Sequence, residues 1–141
     1  MVQNNKIKIL FICTHNSARS QMAEGIANSM FGDSFEAYSA GTSPSSVNPY
    51  AISAMKDIGI NIENNRSKSV NEFNDLNFDY AVTVCDSARE SCPVFTGAKK
   101  VIHKSFNDPS STTGNSEEIL EEFKSVRDQI KTWIEEEFIK C

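Results

Sequence analysis

The chain has no apolar stretch long enough to cross a membrane. Its first apolar run, Ile9-Leu10-Phe11-Ile12, is far shorter than the roughly 20 residues a spanning helix requires. It is also too short for the core of a signal peptide. The sequence therefore predicts a cytoplasmic protein with no membrane partner. A basic excess is missing as well: 14 lysines and arginines face 19 acids, for a net charge of −5. That balance excludes the electrostatic footprint of a nucleic-acid binder. Cysteine is scarce and scattered, at Cys13, Cys85, Cys92 and Cys141, which excludes a secreted disulfide scaffold. In a reducing compartment such thiols are catalytic, redox-active or inert core residues. Repeats, low-complexity tracts and linkers are absent too, so residues 1–141 are expected to form a single domain. The composition that remains, 39% apolar and 23% charged, is that of an ordinary globular chain.

Strands and helices alternate. Lys6–Ile12, Phe35–Ala40, Tyr80–Val84 and Lys99–Ile102 read as strands. Ser20–Phe31 reads as a helix with Met22, Ala23, Ile26, Ala27 and Met30 on one face. Asn48-Pro49 supplies a cap and a first-turn proline for a second helix, ended by Gly59. Ser69 with Glu72 has the spacing of a capping box for a short helix through Leu76. The last helix opens near Asn115 and Ser116. It carries the stripe Ile119, Phe123, Val126, Ile130, Trp133 or Ile134, and Phe138. Asn107–Asn115 is dense in turn formers and reads as a loop. The alternation predicts an α/β fold: a four-stranded parallel sheet with helices on both faces. In such sheets ligands bind beyond the carboxyl ends of the strands. Cys13 closes the first strand and Cys85 the third.

Charge is uneven. Glu117–Lys140 holds eight acids against four bases, whereas the first thirty residues hold three bases and one acid. The acidic C-terminal helix reads as a solvated face, which leaves the end that carries Cys13 electropositive.

That end contains Cys13-Thr14-His15-Asn16-Ser17-Ala18-Arg19-Ser20, between a strand and a helix. A loop of this length can fold back around one small tetrahedral oxyanion. Its N–H groups and the helix N-terminus would point at that anion, and Arg19 adds a planar fork of donors. The same field draws the Cys13 thiol toward the nucleophilic thiolate, with Ser17 and Ser20 as hydroxyl donors. His15 reads either as a proton shuttle or as a residue that structures the loop. Asp108-Pro109 follows the fourth strand. A carboxylic acid there can give a proton to an oxygen departing from the anion. The third constellation runs from Cys85 to Cys92-Pro93. Two thiols near a nucleophilic cysteine suggest thiol–disulfide exchange. Two buried small side chains are the plainer reading, and the spacing fits no standard zinc pattern.

Taken together, Cys13-X5-Arg19-Ser20 and Asp108-Pro109 resemble the low-molecular-weight protein tyrosine phosphatase family. Thr83-Val84-Cys85 with Cys92-Pro93 resembles its thioredoxin-coupled arsenate reductase branch. Ser20-Gln21-Met22-Ala23-Glu24-Gly25, Tyr38-Ser39-Ala40-Gly41-Thr42, Asn48-Pro49 and Val126-Arg127-Asp128-Gln129-Ile130 extend the likeness along the chain. The resemblance implies a flavodoxin-like three-layer sandwich, a monomer, arsenate as substrate and no bound cofactor. It also implies a relay. Cys13 attacks arsenate, Arg19 stabilises the oxyanion, and Asp108 protonates the leaving oxygen. Cys85 then attacks Cys13 and releases arsenite, Cys92 attacks Cys85, and reduced thioredoxin resets the last disulfide.

Two positions depart from the pattern. Ala18 stands where some members carry a further cysteine. Some members hold potassium beside the cradle through asparagine, glutamate, serine and aspartate. Asn16, Glu24 and Ser39 match three of these, and Lys68 falls at the aspartate, so an ammonium is expected to replace the cation. Two other readings follow from the same residues. A phosphatase acting on phosphoesters would use the same cradle and acid, although Ser110-Ser111-Thr112-Thr113 replaces the aromatics that such phosphatases place after Asp-Pro. A thiol-based arsenite- or metal-binding protein without turnover would not need the cradle. Cys141 has no assigned role.

Overall fold

A computed structural model describes residues 6–73, 76–84 and 97–139. The four strands are β1 (Ile7–Cys13), β2 (Phe35–Gly41), β3 (Phe78–Thr83) and β4 (Ala98–His103). They pair in parallel in the order β2-β1-β3-β4. The α-helices among the described residues are α1 (Arg19–Met30), α2 (Pro49–Lys56) and α3 (Ser116–Ile134). This is the expected doubly wound α/β arrangement. Its β1, central in sequence logic as well as in space, brings Cys13 to the carboxyl edge where such folds bind ligands.

Burial explains why β1 reads as a continuous apolar run. Ile9, Leu10, Phe11 and Ile12 are at most 1% exposed although their side chains alternate between faces, so both faces of the sheet are covered. On one face α1 lies along β2, where Glu24 meets Ser39 and Asn28 meets Ala37. Phe138, just beyond α3, packs edge-on to Phe35 and Tyr80. On the other face Tyr38 packs against Phe73 of a 3-10 turn, Val70–Phe73. The Asn28 amide both accepts from the Ala37 N–H and donates to its carbonyl. It thereby occupies the ladder positions that β2 would otherwise offer at an open sheet edge.

The caps account for where helices begin. Asn48 accepts from the Tyr50 N–H, with Pro49 in the first turn of α2. Asn115 and Glu118 form a reciprocal capping box on α3, a device worth about 1 kcal/mol. The α3 stripe packs as its spacing requires: Phe123, Val126, Ile130 and Ile134 are fully buried. Arg127 ties α3 to α2 by donating to the Ala54 carbonyl at 2.7 Å and to Asp57 at 3.2 Å.

The expected capping box at Ser69 forms in part. The Glu72 carboxylate faces the Ser69 N–H, and the Arg66 guanidinium together with that N–H holds it below the usual carboxylate range. The Ser69 hydroxyl accepts from the Asn71 N–H rather than from that of Glu72. The same carboxylate takes a two-point bond from Arg66, and Val70–Phe73 forms a 3-10 turn.

Candidate active site

β1 ends beside β2 with Cys13 opposite Gly41. The chain then folds back through Thr14–Ala18, and α1 starts at Arg19 with no side chain capping its first turn. Helix N-termini left uncapped by the chain present N–H groups to an anion. The loop is braced from outside by the segment after β2. Backbone N–H groups of Thr42, Ser43, Ser45 and Asn48 donate to the carbonyls of Cys13, Thr14, His15 and Ser17. With its carbonyls engaged outward, the loop is held as a fixed cradle. Gly41 makes this approach possible. A Cβ there would lie 2.7 Å from the Thr14 carbonyl oxygen and 2.8 Å from the Asn16 nitrogen.

Cys13 is buried, at 3% exposure, and its sulfur lies 2.8 Å from the Ser20 hydroxyl. Asn16 sits behind that pair with φ of 49°, a left-handed conformation that asparagine tolerates better than most residues. Its Nδ2 donates to Ser20 Oγ at 2.8 Å. Asn16 fills one acceptor position on Ser20, and the hydroxyl hydrogen remains available to the sulfur, where a donated bond favours negative charge.

Arg19 is aimed by two groups after β4. Nη1 donates to the Phe106 carbonyl at 3.1 Å, and Nη2 stands 3.6 Å from Asp108 Oδ2. Asp108 opens the 3-10 turn Pro109–Ser111. Its Oδ1 accepts from the Ser110 N–H at 3.0 Å and from the Ser110 hydroxyl at 2.6 Å. Oδ2 is therefore the oxygen turned toward Arg19. Cys13, His15, Ser17, Ala18, Arg19, Ser45, Asn48, Asp108 and Ser110 line one cavity of about 90 Å³. The sequence placed seven of these lining residues in or near the site; Ser45 and Asn48 come from the bracing segment, and the sequence marks Asn48 there only as a helix cap and part of the family likeness.

His15 is exposed and its Nδ1 lies 2.9 Å from the Ser43 carbonyl. A carbonyl only accepts, so Nδ1 carries the hydrogen. The His15 carbonyl accepts from Ser67 Oγ at 2.6 Å. Both contacts brace the loop. Thr14 and Ser17 contribute through their backbone carbonyls. The proposed resolving cysteines, Cys85 and Cys92, lie outside the described residues. The chain leaves the described part at Val84, whose N–H bonds the Ile12 carbonyl, one residue before Cys13.

Beside the cradle, Lys68 donates its backbone N–H to Asn16 Oδ1 at 2.8 Å. Its ammonium donates to the Arg66 carbonyl and stands 3.9 Å from Glu24 Oε1. That same oxygen accepts from the Ser39 hydroxyl. Burial pulls the Lys68 ammonium below its usual range, with Glu24 opposing the shift. Lys68 thus sets an ammonium beside Glu24 and its backbone N–H on Asn16, and a residue set that already holds this ammonium does not fit a potassium ion. Among the described residues no group of three or more His, Cys, Asp or Glu side chains is arranged to hold a metal. No described helix is long and apolar enough to cross a membrane. A larger open depression of about 850 Å³ runs along α3 between Phe106 and Trp133. Its lining of mixed charge holds no thiol.

The geometry has counterparts. The profile of the low molecular weight phosphotyrosine protein phosphatases matches residues 8–138. The chain is 42% identical over 126 residues to an arsenate reductase of Halalkalibacterium halodurans, covering 89% of this chain and 91% of that one. It is 42% identical over 132 residues to an arsenate reductase of Bacillus subtilis, covering 94% of each. A solved structure described as an arsenate reductase in the phosphate binding state superposes with a TM-score of 0.79 at 30% identity. That match covers 92% of this chain and 95% of that one. A low molecular weight protein tyrosine phosphatase from T. tengcongensis shares the fold, with a TM-score of 0.72 at 24% identity over 92% and 96% of the two chains.

Proposed function

This chain belongs to the low molecular weight phosphotyrosine protein phosphatase family, and within it we propose that the chain is an arsenate reductase that converts arsenate to arsenite. The relatives that it matches along most of its length at 42% identity include arsenate reductases. The observation that carries the reading is the cavity. About 90 Å³ is enclosed by Cys13, Arg19, Asp108 and the short polar side chains of Ser45, Asn48 and Ser110, with no phenyl, phenol or indole ring among the lining residues. A tetrahedral oxyanion fits such a space, and among the described residues none that lines it sandwiches an aryl ester. Tyr50, the nearest aromatic in sequence to the bracing segment, is turned onto Phe123 and Ser116.

The chemistry follows from the groups in place. The Cys13 sulfur, supported by the Ser20 hydroxyl, attacks arsenic. Arg19 and the loop N–H groups take up the charge on the equatorial oxygens. Asp108, its Oδ1 committed to Ser110, delivers a proton from Oδ2 to the leaving oxygen, which departs as water. The product is a sulfur–arsenic(V) adduct on Cys13. Cys85 then attacks the Cys13 sulfur. The electron pair of the sulfur–arsenic bond stays on arsenic, which leaves as arsenite, and a Cys13–Cys85 disulfide forms. Cys92 attacks Cys85 and frees Cys13. The dithiol of reduced thioredoxin takes over the Cys85–Cys92 disulfide and returns the chain to its starting state. The two electrons lost by the thiols equal the two gained by arsenic, so the residues need no bound redox cofactor. Support for the relay is the sequence pattern at Cys85 and Cys92, together with the course of the chain past Ile12 at Val84.

The test is a single turnover. Fully reduced protein mixed with arsenate and no electron donor is expected to yield one arsenite per chain and lose two thiols, while Cys13→Ser yields none. Absence of arsenite from the reduced wild-type chain overturns the reading.

A further inference from the structure

Gln21 is completely buried in the first turn of α1, and every polar atom of its amide is engaged across the chain. Nε2 faces three oxygens: the Asn16 carbonyl at 3.3 Å, Asn16 Oδ1 at 3.0 Å and the Arg66 carbonyl at 3.0 Å. Oε1 accepts from Asn65 Nδ2 at 3.1 Å. The two backbone carbonyls can only accept, so they determine which end of the Gln21 amide faces them. Asn16 Oδ1 is pinned in turn by two donors, Gln21 Nε2 and the Lys68 backbone N–H. With Oδ1 so held, Nδ2 faces Ser20 and fills one of its acceptor positions, and the serine hydrogen is available to a Cys13 thiolate.

We propose that Gln21 is a positioning residue for the nucleophile: it holds the Asn16 amide in the one orientation that makes Ser20 a donor to the Cys13 sulfur. It touches neither substrate nor sulfur. Its influence runs through Asn16 and Ser20, and it links the cradle to the 61–69 segment, more than forty residues away in sequence. Without the second donor on Oδ1, the Asn16 side chain regains freedom to rotate. An amide turned end for end would accept from Ser20 and draw its hydrogen away from the sulfur. The left-handed backbone of Asn16 adds to the demand for such a clamp, because that conformation persists only where its surroundings hold it. The charged groups that share the cavity with Cys13 are Arg19, His15 and Asp108. Lys68, paired with Glu24, contacts Asn16. None of these side chains is hydrogen-bonded to Gln21 itself.

The inference rests on Cys13 being the arsenate-attacking thiolate, and the experiment separates the two claims. Gln21→Met keeps the length of the side chain and removes its donor. Two quantities are measured at one neutral pH: the rate of arsenite formation in a single turnover, and the rate of iodoacetamide alkylation of Cys13 followed by mass spectrometry. Gln21→Met is expected to slow both by about tenfold, the scale of a lost hydrogen bond to a charged group, with little change in KM for arsenate. In a Ser20→Ala background the same substitution is expected to add nothing, because the path it acts through is already cut. Asn65→Ala, which frees Gln21 from the outer side, serves if Gln21→Met does not fold, and is expected to slow Cys13 alkylation in the same direction. A folded Gln21→Met chain that alkylates at the wild-type rate overturns the proposal. So does an equal slowing with and without Ser20. A wild-type chain that forms no arsenite refutes the functional reading instead.

Discussion

The Ser20 hydroxyl lies 2.8 Å from the Cys13 sulfur and an equal distance from Asn16 Nδ2. Asn16 can only donate at that atom, so it fills one acceptor position on the serine and leaves the hydroxyl hydrogen available to a thiolate at Cys13. One turn of helix and one loop residue thus place a hydroxyl against the nucleophile.

Ser20→Ala is expected to lower kcat/KM for arsenate by about 10- to 100-fold, the worth of a hydrogen bond to a charged group at roughly 1.5–3 kcal/mol. Steady-state kinetics beside urea denaturation check this, because the loss should exceed any change in the unfolding midpoint. Wild-type kinetics in the alanine variant would remove Ser20 from the site.

Gly41→Ala places a methyl group 2.7 Å from the Thr14 oxygen and 3.0 Å from the His15 carbonyl carbon. Both are backbone atoms that no rotamer change can move aside. The cradle must shift, and a misplacement on the order of 1 Å costs about 100-fold in rate. Arsenate turnover should fall by that order while far-ultraviolet circular dichroism stays that of the parent chain.

Asp108→Asn retains the shape of the turn but cannot give up a proton to the leaving oxygen. A fall of about 10²- to 10⁴-fold in the rate of adduct formation is expected, with arsenate affinity nearly unchanged. Rapid quench of the first turnover measures it, and an unaltered first-turnover rate would assign the proton to another group.

The Lys68 ammonium stands 3.9 Å from Glu24. Exchanging sodium for potassium at fixed ionic strength is therefore expected to leave kcat/KM unchanged. A clear rise with potassium would contradict the assignment of that space to the lysine.

Periodicity and punctuation carried most of the fold. The α3 stripe, the Asn48-Pro49 start of α2 and the apolar run of β1 all follow from local rules, because each depends on residues within one or two turns of each other. Cys13, Arg19 and Ser20 were legible for the same reason: one loop holds them. The local rule held only in part at Ser69 and Glu72: the carboxylate faces the Ser69 N–H, but Arg66 also takes it, a partner that spacing alone does not reveal. Also invisible were the partners from remote segments. Gln21 meets Arg66, Arg19 meets the Phe106 carbonyl, and Ser45 and Asn48 line the cavity. No periodicity marks a residue whose role is to hydrogen-bond something forty to ninety positions away.

The most direct test of the account is a coupled assay that follows NADPH consumption with arsenate, thioredoxin and thioredoxin reductase, omitting one component at a time. The account predicts multiple turnovers only with all components present, none for Cys13→Ser, and at most one arsenite per chain for Cys92→Ser. Sustained turnover by Cys92→Ser, or arsenate-dependent NADPH consumption that does not need thioredoxin, would contradict it.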